Sequence, residues 1–216
     1  KNKNLQNLEG LSRLKEVGLV GLEISENENL KILNGLSKLK KVIGELLIYA
    51  NPKLLSLEGL TNLTVGKYLT IAENNALTSL NGLDKLISVG QDLAIDHNER
   101  LASLKGLSDL TRVGGNLKII GNNMISIVNN EGPSPDGDPH EGPEDPINLT
   151  VEGNLTVEGN LEISRNAFQN LDGLSTLNKV GGFLEIFKND NLKNINGLTK
   201  LDKVGGFLKI TKNNAL

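Results

Sequence analysis

The stretch Leu69-Thr70-Ile71-Ala72-Glu73-Asn74-Asn75-Ala76-Leu77 reads L-x-I-x-x-N-x-x-L. The phrase returns as Leu22 to Leu30, Leu46 to Leu54, Leu93 to Leu101, Leu184 to Leu192 and Leu208 to Leu216. Variants run from Leu117 to Ile125 and from Leu161 to Phe168. Units counted from the residue that closes each phrase begin at Leu5, Leu30, Leu54, Leu77 and Leu101. They resume at Phe168, Leu192 and Leu216, with a spacing of 23 to 25 residues within each run. A period of this size is the mark of a stacked repeat, in which each unit packs on its neighbours.

The full template is L-x-x-L-x-G-L-x-x-L-x-x-V-G-G-x-L-x-I-x-x-N-x-x. L-x-I alternates, so it predicts a short strand with Leu and Ile inward and the residue between them outward. The asparagine falls where the chain must turn. Its amide can satisfy backbone groups in a tight bend, and Asn tolerates unusual dihedrals. Stacking predicts a ladder of Asn27, Asn51, Asn74, Asn98, Asn122, Asn166, Asn189 and Asn213. A Gly-Leu column (Gly35-Leu36, Gly82-Leu83, Gly106-Leu107 and their equivalents) predicts a bend or close backbone approach. The V-G-G corner, as at Val113-Gly114-Gly115, returns the chain to the strand. The expected fold is mainly β: a right-handed, β-helix-like solenoid of about eight 24-residue coils with one long parallel sheet. The other side of each coil reads as short strands and irregular structure.

One segment breaks the pattern. Residues 129–146 hold five of the six prolines and an excess of acid, with no large apolar residue. They cannot feed a core, so they read as a projecting acidic, Pro-rich loop on a single domain spanning residues 1–216. The chain re-enters through a doubled phrase, Leu149-Thr150-Val151-Glu152-Gly153-Asn154 and Leu155-Thr156-Val157-Glu158-Gly159-Asn160. One copy is expected to replace the missing Gly-Leu side of its coil. The sequence opens at Lys1 and closes at Leu216 inside repeats, as a section of a longer array would.

Composition narrows the function classes. The net charge is −3, which disfavours binding to a nucleic-acid backbone. There is no cysteine, so disulfides and thiolate chemistry are excluded. No apolar run reaches transmembrane length and no signal peptide is visible.

The template resembles the receptor L-domain type of leucine-rich repeat, found in ligand-binding lobes of growth-factor receptors and in secreted microbial proteins. The match covers the chain except residues 129–146. This chain lacks the cysteines of the receptors' disulfide-linked modules. The resemblance therefore implies a solenoid that serves as an extracellular or cell-surface binding or structural module, not a growth-factor receptor. A fold of this kind does not by itself name a ligand.

No catalytic constellation stands out, and no enzyme activity, cofactor or metal is expected. His97 and His140 are the only histidines and read as exposed filler. Asp136-Gly137-Asp138 lacks the remaining ligands of a calcium loop. Charges on the strand columns, such as Lys118, Glu162, Glu185 and Lys209, are scattered rather than clustered, which disfavours a hydrolase or lyase.

The aromatic residues carry the functional expectation. Tyr49, Tyr68, Phe183, Phe187 and Phe207 fall at outward positions flanking L-x-I, and only Phe168 takes a core leucine position. Leu47 and Ile120 add apolar outward surface. Exposed aromatics on a sheet mark a contact surface, or form cross-strand ladders that only stabilise the sheet. The expected role is non-enzymatic recognition of a protein or glycan by this face and the 129–146 loop. The alternative is a structural segment of a fibre, adhesin or surface layer, built from further copies of itself. Neither nucleic acid nor direct membrane insertion is expected. N-x-T sequons at Asn62, Asn148 and Asn154 are candidate glycosylation acceptors.

Overall fold

The computed structural model describes residues 2–101, 104–107, 109–122, 154–171 and 174–216. The acidic loop at 129–146 lies outside these residues. Sixteen described strands alternate between two parallel sheets. The longer strands are β2 (Gly21–Ser25), β4 (Glu45–Tyr49), β6 (Leu69–Ala72), β8 (Leu93–Asp96), β10 (Leu117–Ile120), β12 (Leu161–Ser164), β14 (Leu184–Phe187) and β16 (Leu208–Thr211). They pair in that order as one eight-stranded sheet. The shorter strands are β1 (Glu16–Val17), β3 (Lys41–Val42), β5 (Thr64–Val65), β7 (Ser88–Val89), β9 (Arg112–Val113), β11 (Leu155–Val157), β13 (Leu177–Val180) and β15 (Lys203–Val204). They form a second eight-stranded sheet.

The fold is thus a parallel β-solenoid, and the short strands expected on the other side of each coil pair as a second sheet beside the one long sheet. The second sheet arises because the valine before each corner glycine recurs once per coil. Successive coils then present N–H to C=O in register: Gly66 N–H donates to the Val42 carbonyl, Gly114 to Val89 and Gly181 to Val157. Two paired residues suffice for a strand there, too few to show as alternation in sequence. No α-helix occurs among the described residues, and single 3-10 turns such as Asn34–Leu36 and Asn196–Leu198 fall at the Gly-Leu positions.

The template positions form one continuous core. Leu46, Ile48, Leu69, Ile71, Leu93 and Ile95 are fully buried on the inner face of the longer-stranded sheet. Leu33, Leu57 and Leu80 repeat beneath them, as do Leu36, Leu60 and Leu83. Phe168 replaces a leucine in the same interior. Burial of each such side chain is worth about 1.5–3 kcal/mol. Glycine at the Gly-Leu corner answers a close approach: Gly82 has φ +107° and a Cβ there would strike the Leu57 carbonyl.

The interrupted coil keeps its register. β12 pairs with β10 residue for residue, although 44 residues separate them. The second copy of the doubled phrase supplies β11, which pairs with β9 and β13. It therefore fills the V-G-G side of the coil, with Val157 opposite Val113, and not the Gly-Leu side. Most of the first copy lies outside the described residues.

Candidate functional site

Both ends of the longer strands are corners, and each is held differently. At the exit corner the asparagine ladder forms as expected. Asn98 shows its logic. Its side-chain N–H group donates to the carbonyls of Ile71 at 2.9 Å and Asp96 at 3.1 Å. Its own backbone N–H donates to Asn122 Oδ1 at 3.1 Å, and its Oδ1 accepts from the backbone N–H of Asn74 at 3.1 Å. The same pattern runs from Asn27 to Asn213 and crosses the interruption as Asn122 to Asn166 at 3.1 Å. Asn27, Asn51, Asn74, Asn98, Asn122, Asn166 and Asn189 are buried, and every one has its polar groups paired along the column.

The unusual dihedrals do not fall on these asparagines. They fall one residue earlier, at Glu26, Ala50, Glu73, His97, Gly121, Arg165, Lys188 and Lys212, all with φ between +52° and +65°. Hydrogen bonding to the ladder holds the asparagines in ordinary conformation and pushes the left-handed turn onto whatever residue precedes them. Six of those eight side chains are charged or ionisable and exposed, so the corner becomes an outward ridge.

The entry corner carries a shorter ladder that escaped the sequence reading. Asn116 N–H donates to Asp92 Oδ1 at 2.8 Å, Asn160 N–H to Asn116 Oδ1 at 2.9 Å, and Phe183 N–H to Asn160 Oδ1 at 2.9 Å. The signal was present, since Asp or Asn precedes L-x-I in three successive units. The column then changes character. Phe183 and Phe207 continue it as parallel rings with centroids 4.8 Å apart and planes 3° apart. That separation equals the spacing between strands, about 4.8 Å. The two rings turn their faces to each other.

The remaining outward residues fall into two groups rather than one stripe. In the first, Leu47 lies between Glu23 and Thr70, and Tyr49 between Ser25 and Ala72. The Tyr49 hydroxyl donates to Glu23 Oε1 at 2.7 Å, and Ser25 Oγ donates to the same oxygen at 2.6 Å. The bonds from Ser25 and Tyr49 hold the Glu23 carboxyl below its usual range, and the bond to Glu23 raises the Tyr49 hydroxyl. Tyr68 precedes β6 and so sits at the opposite strand end from Tyr49, on the next coil; the register does not bring the two tyrosines together. In the second group, Phe187 lies between Ser164 and Thr211, with the Arg165 guanidinium 5.9 Å from its ring centre. Ile120 lies between the groups, flanked by Asp96 and Ser164. Tyr68 is 38% and Phe207 54% exposed, while Leu47, Tyr49, Ile120, Phe183 and Phe187 are half-buried.

Asp96 differs from Glu23 on the same face, since its shift comes from burial and not from a hydrogen bond. Its Oδ1 is buried without a hydrogen-bond partner. Desolvation pushes its carboxyl up to about 6, against the pull of His97 and Lys118 and with the help of Glu162. His97 itself is exposed, and its ring lies over Gly121. Among the described residues no group of three or more His, Asp or Glu is placed to hold a metal ion. No described helix is long and apolar enough to cross a membrane. Asn62 and Asn154 are exposed, Asn62 in a turn before β5 and Asn154 directly before β11. Asn148, His140 and Asp136 to Asp138 lie outside the described residues.

The geometry therefore offers a flat, mostly polar sheet face with two apolar clusters, edged by a charged ridge. Comparison with known proteins adds no name to it: no protein-family model, curated protein or solved structure matches this chain.

Proposed function

We propose that the solenoid is a non-enzymatic binding module that recognises a macromolecular partner through the outer face of its longer-stranded sheet. The observation that carries this reading is the accessible apolar surface at Tyr68, set on a rigid sheet beside Leu47, Tyr49, Ile120 and Phe187. A core with this leucine and isoleucine content has no need of aromatics, and the chain spends nearly all of them outside it. Clusters of this kind anchor interfaces, ringed by polar residues that exclude water. Stacking covers one face of Phe183 and one of Phe207, and the Tyr49 hydroxyl is tied to Glu23, so few ring faces remain for a sugar to stack on. A protein partner is favoured over a glycan on that ground. The resemblance of the repeat template to receptor L-domain leucine-rich repeats supports an extracellular or cell-surface setting, as do the exposed sequons at Asn62 and Asn154.

The test compares three proteins on a secreted-protein panel and a glycan array: the parent chain, the double variant Tyr68→Ser with Phe207→Ser, and Lys41→Ser on the opposite sheet. Ligands held by the parent and Lys41→Ser but released by the double variant are expected, on the protein panel. Equal retention by all three would overturn the sheet-face assignment, and hits on the glycan array alone would overturn the choice of a protein.

A further inference from the structure

The ridge of left-handed residues at the exit corner is divided by charge. Over the first three coils it carries Glu26, Ala50 and Glu73, and over the last three Arg165, Lys188 and Lys212. All five charged residues are exposed. Because the register is unbroken, successive members are about one strand spacing, roughly 4.8 Å, apart. The acidic half also borders an open groove to which Glu28 and Glu99 contribute further carboxylates. Beside the basic half the same flanking column holds Ala167 and Asp190, with Asp190 accepting from Asn214. Lys53 and Arg100 lie one residue further along their own coils. The net charge of the chain is only −3, so the polarity reflects placement more than excess.

From this arrangement we infer that the ridge is a self-complementary surface and that its partner is a second copy of this chain, bound antiparallel. A two-fold axis across the ridge, between the fourth and fifth coils, matches the first coil of one copy with the eighth of the other. Glu26 then faces Lys212, and Glu73 faces Arg165. Lys188 faces Ala50, between those two glutamates. Each pairing occurs twice, as a two-fold interface requires. At the axis His97 faces Gly121, with the His97 ring lying against the glycine. The adjacent outward column obeys the same matching. Tyr49 on the second coil meets Phe187 on the seventh, which places apolar contact beside the ion pairs. Turning one copy to run parallel would instead set Glu26 against Glu26 and Lys212 against Lys212. The charge pattern therefore selects orientation as well as partner. This inference shares Tyr49 and Phe187 with the sheet-face reading, but every substitution that tests it lies on the ridge, so the two fail separately.

Sedimentation velocity of the 216-residue chain at low salt should show a concentration-dependent dimer. Raising salt to about 1 M, where charges are screened beyond roughly 3 Å, should weaken association roughly tenfold or more. Two reversed variants then test the pairing. One carries Glu26→Lys with Glu73→Lys, and the other Arg165→Glu with Lys188→Glu and Lys212→Glu. Each alone should be monomeric, and a one-to-one mixture should dimerise again, because an all-basic ridge then meets an all-acidic one. Circular dichroism and melting temperature report whether the variants fold. If a reversed variant does not, the neutral pair Glu26→Gln with Glu73→Gln replaces it and should still lose the dimer. A parent chain that stays monomeric at low salt would overturn the inference. So would variants that dimerise unaided, or a folded mixture that stays monomeric.

Discussion

The two corners of each coil solve one problem by different means. The exit corner is closed by side chains: a column of asparagines, seven of them buried, satisfies the turns and their neighbours' backbone. The entry corner is closed by the backbone itself. A Cβ at Gly90 would overlap the Gly66 carbonyl, and one at Gly205 the Gly181 carbonyl. Among the described residues the side-chain bonds there run from Asp92 to Phe183. A corner held by buried amides is intolerant at one position and free at the next, which is why the left-handed ridge varies from Glu to Lys. A corner held by glycine contacts is intolerant at the glycine and free at the residue before the strand. That residue ranges over Tyr68, Asp92, Asn116 and Phe207.

The contrast can be broken first at the ladder. Asn98→Ala removes the donors to Ile71 and Asp96 and orphans the Asn74 N–H inside the protein. We expect a loss of about 4 kcal/mol in urea unfolding, several unpaired buried groups at about 1–3 kcal/mol each less the gain from relaxation. The same change at half-buried Asn116 should cost only about 1 kcal/mol. Equal losses would erase the distinction between the corners. Next comes Gly90→Ala, which forces the Gly66 backbone to move and should cost about 2–3 kcal/mol in the same assay. A neutral result would mean that the entry corner is not closed by contact.

The smallest effect concerns the two aspartates that bracket β8. Asp92 Oδ1 accepts two bonds from Asn116, whereas Asp96 Oδ1 accepts none. With its folded value raised to about 6, Asp96 keeps its proton where the unfolded chain, near 3.8, has released it. Its contribution to stability is therefore full below pH 4 and is lost as pH rises towards 6. Partial solvent screening limits the loss to about 1–2 kcal/mol. The difference in unfolding free energy between Asp96→Asn and the parent should grow by that amount between pH 4 and pH 7. A difference that does not change with pH would show that Asp96 is adequately solvated.

The inward half of the architecture was legible because burial repeats itself. Leu69, Ile71 and Asn74 each serve a core that every coil shares, so their spacing announces stacked strands and a ladder. The second sheet was legible only as short strands, since Lys41–Val42 and Arg112–Val113 are too short to alternate and their pairing into a sheet left no pattern. The left-handed column hid for a related reason: the ladder imposes the conformation, so no residue type marks it. The outward aromatics were identifiable one by one. Their grouping was not, because it depends on which strand end each occupies. Tyr49 ends its strand and Tyr68 precedes the next, which parts two residues that the repeat count alone would join.

The bond from Asn122 to Asn166 is as short as that from Asn98 to Asn122, although the first closes 44 residues and the second 24. Stacking thus ignores the length of chain between rungs. Doubling the length of a closed loop costs only about 0.6 kcal/mol of closure entropy. The gap between Asn122 and β11 is therefore a natural splice point. A foreign peptide or small domain whose termini lie close together could replace the native insert there, displayed from a scaffold that continues on either side.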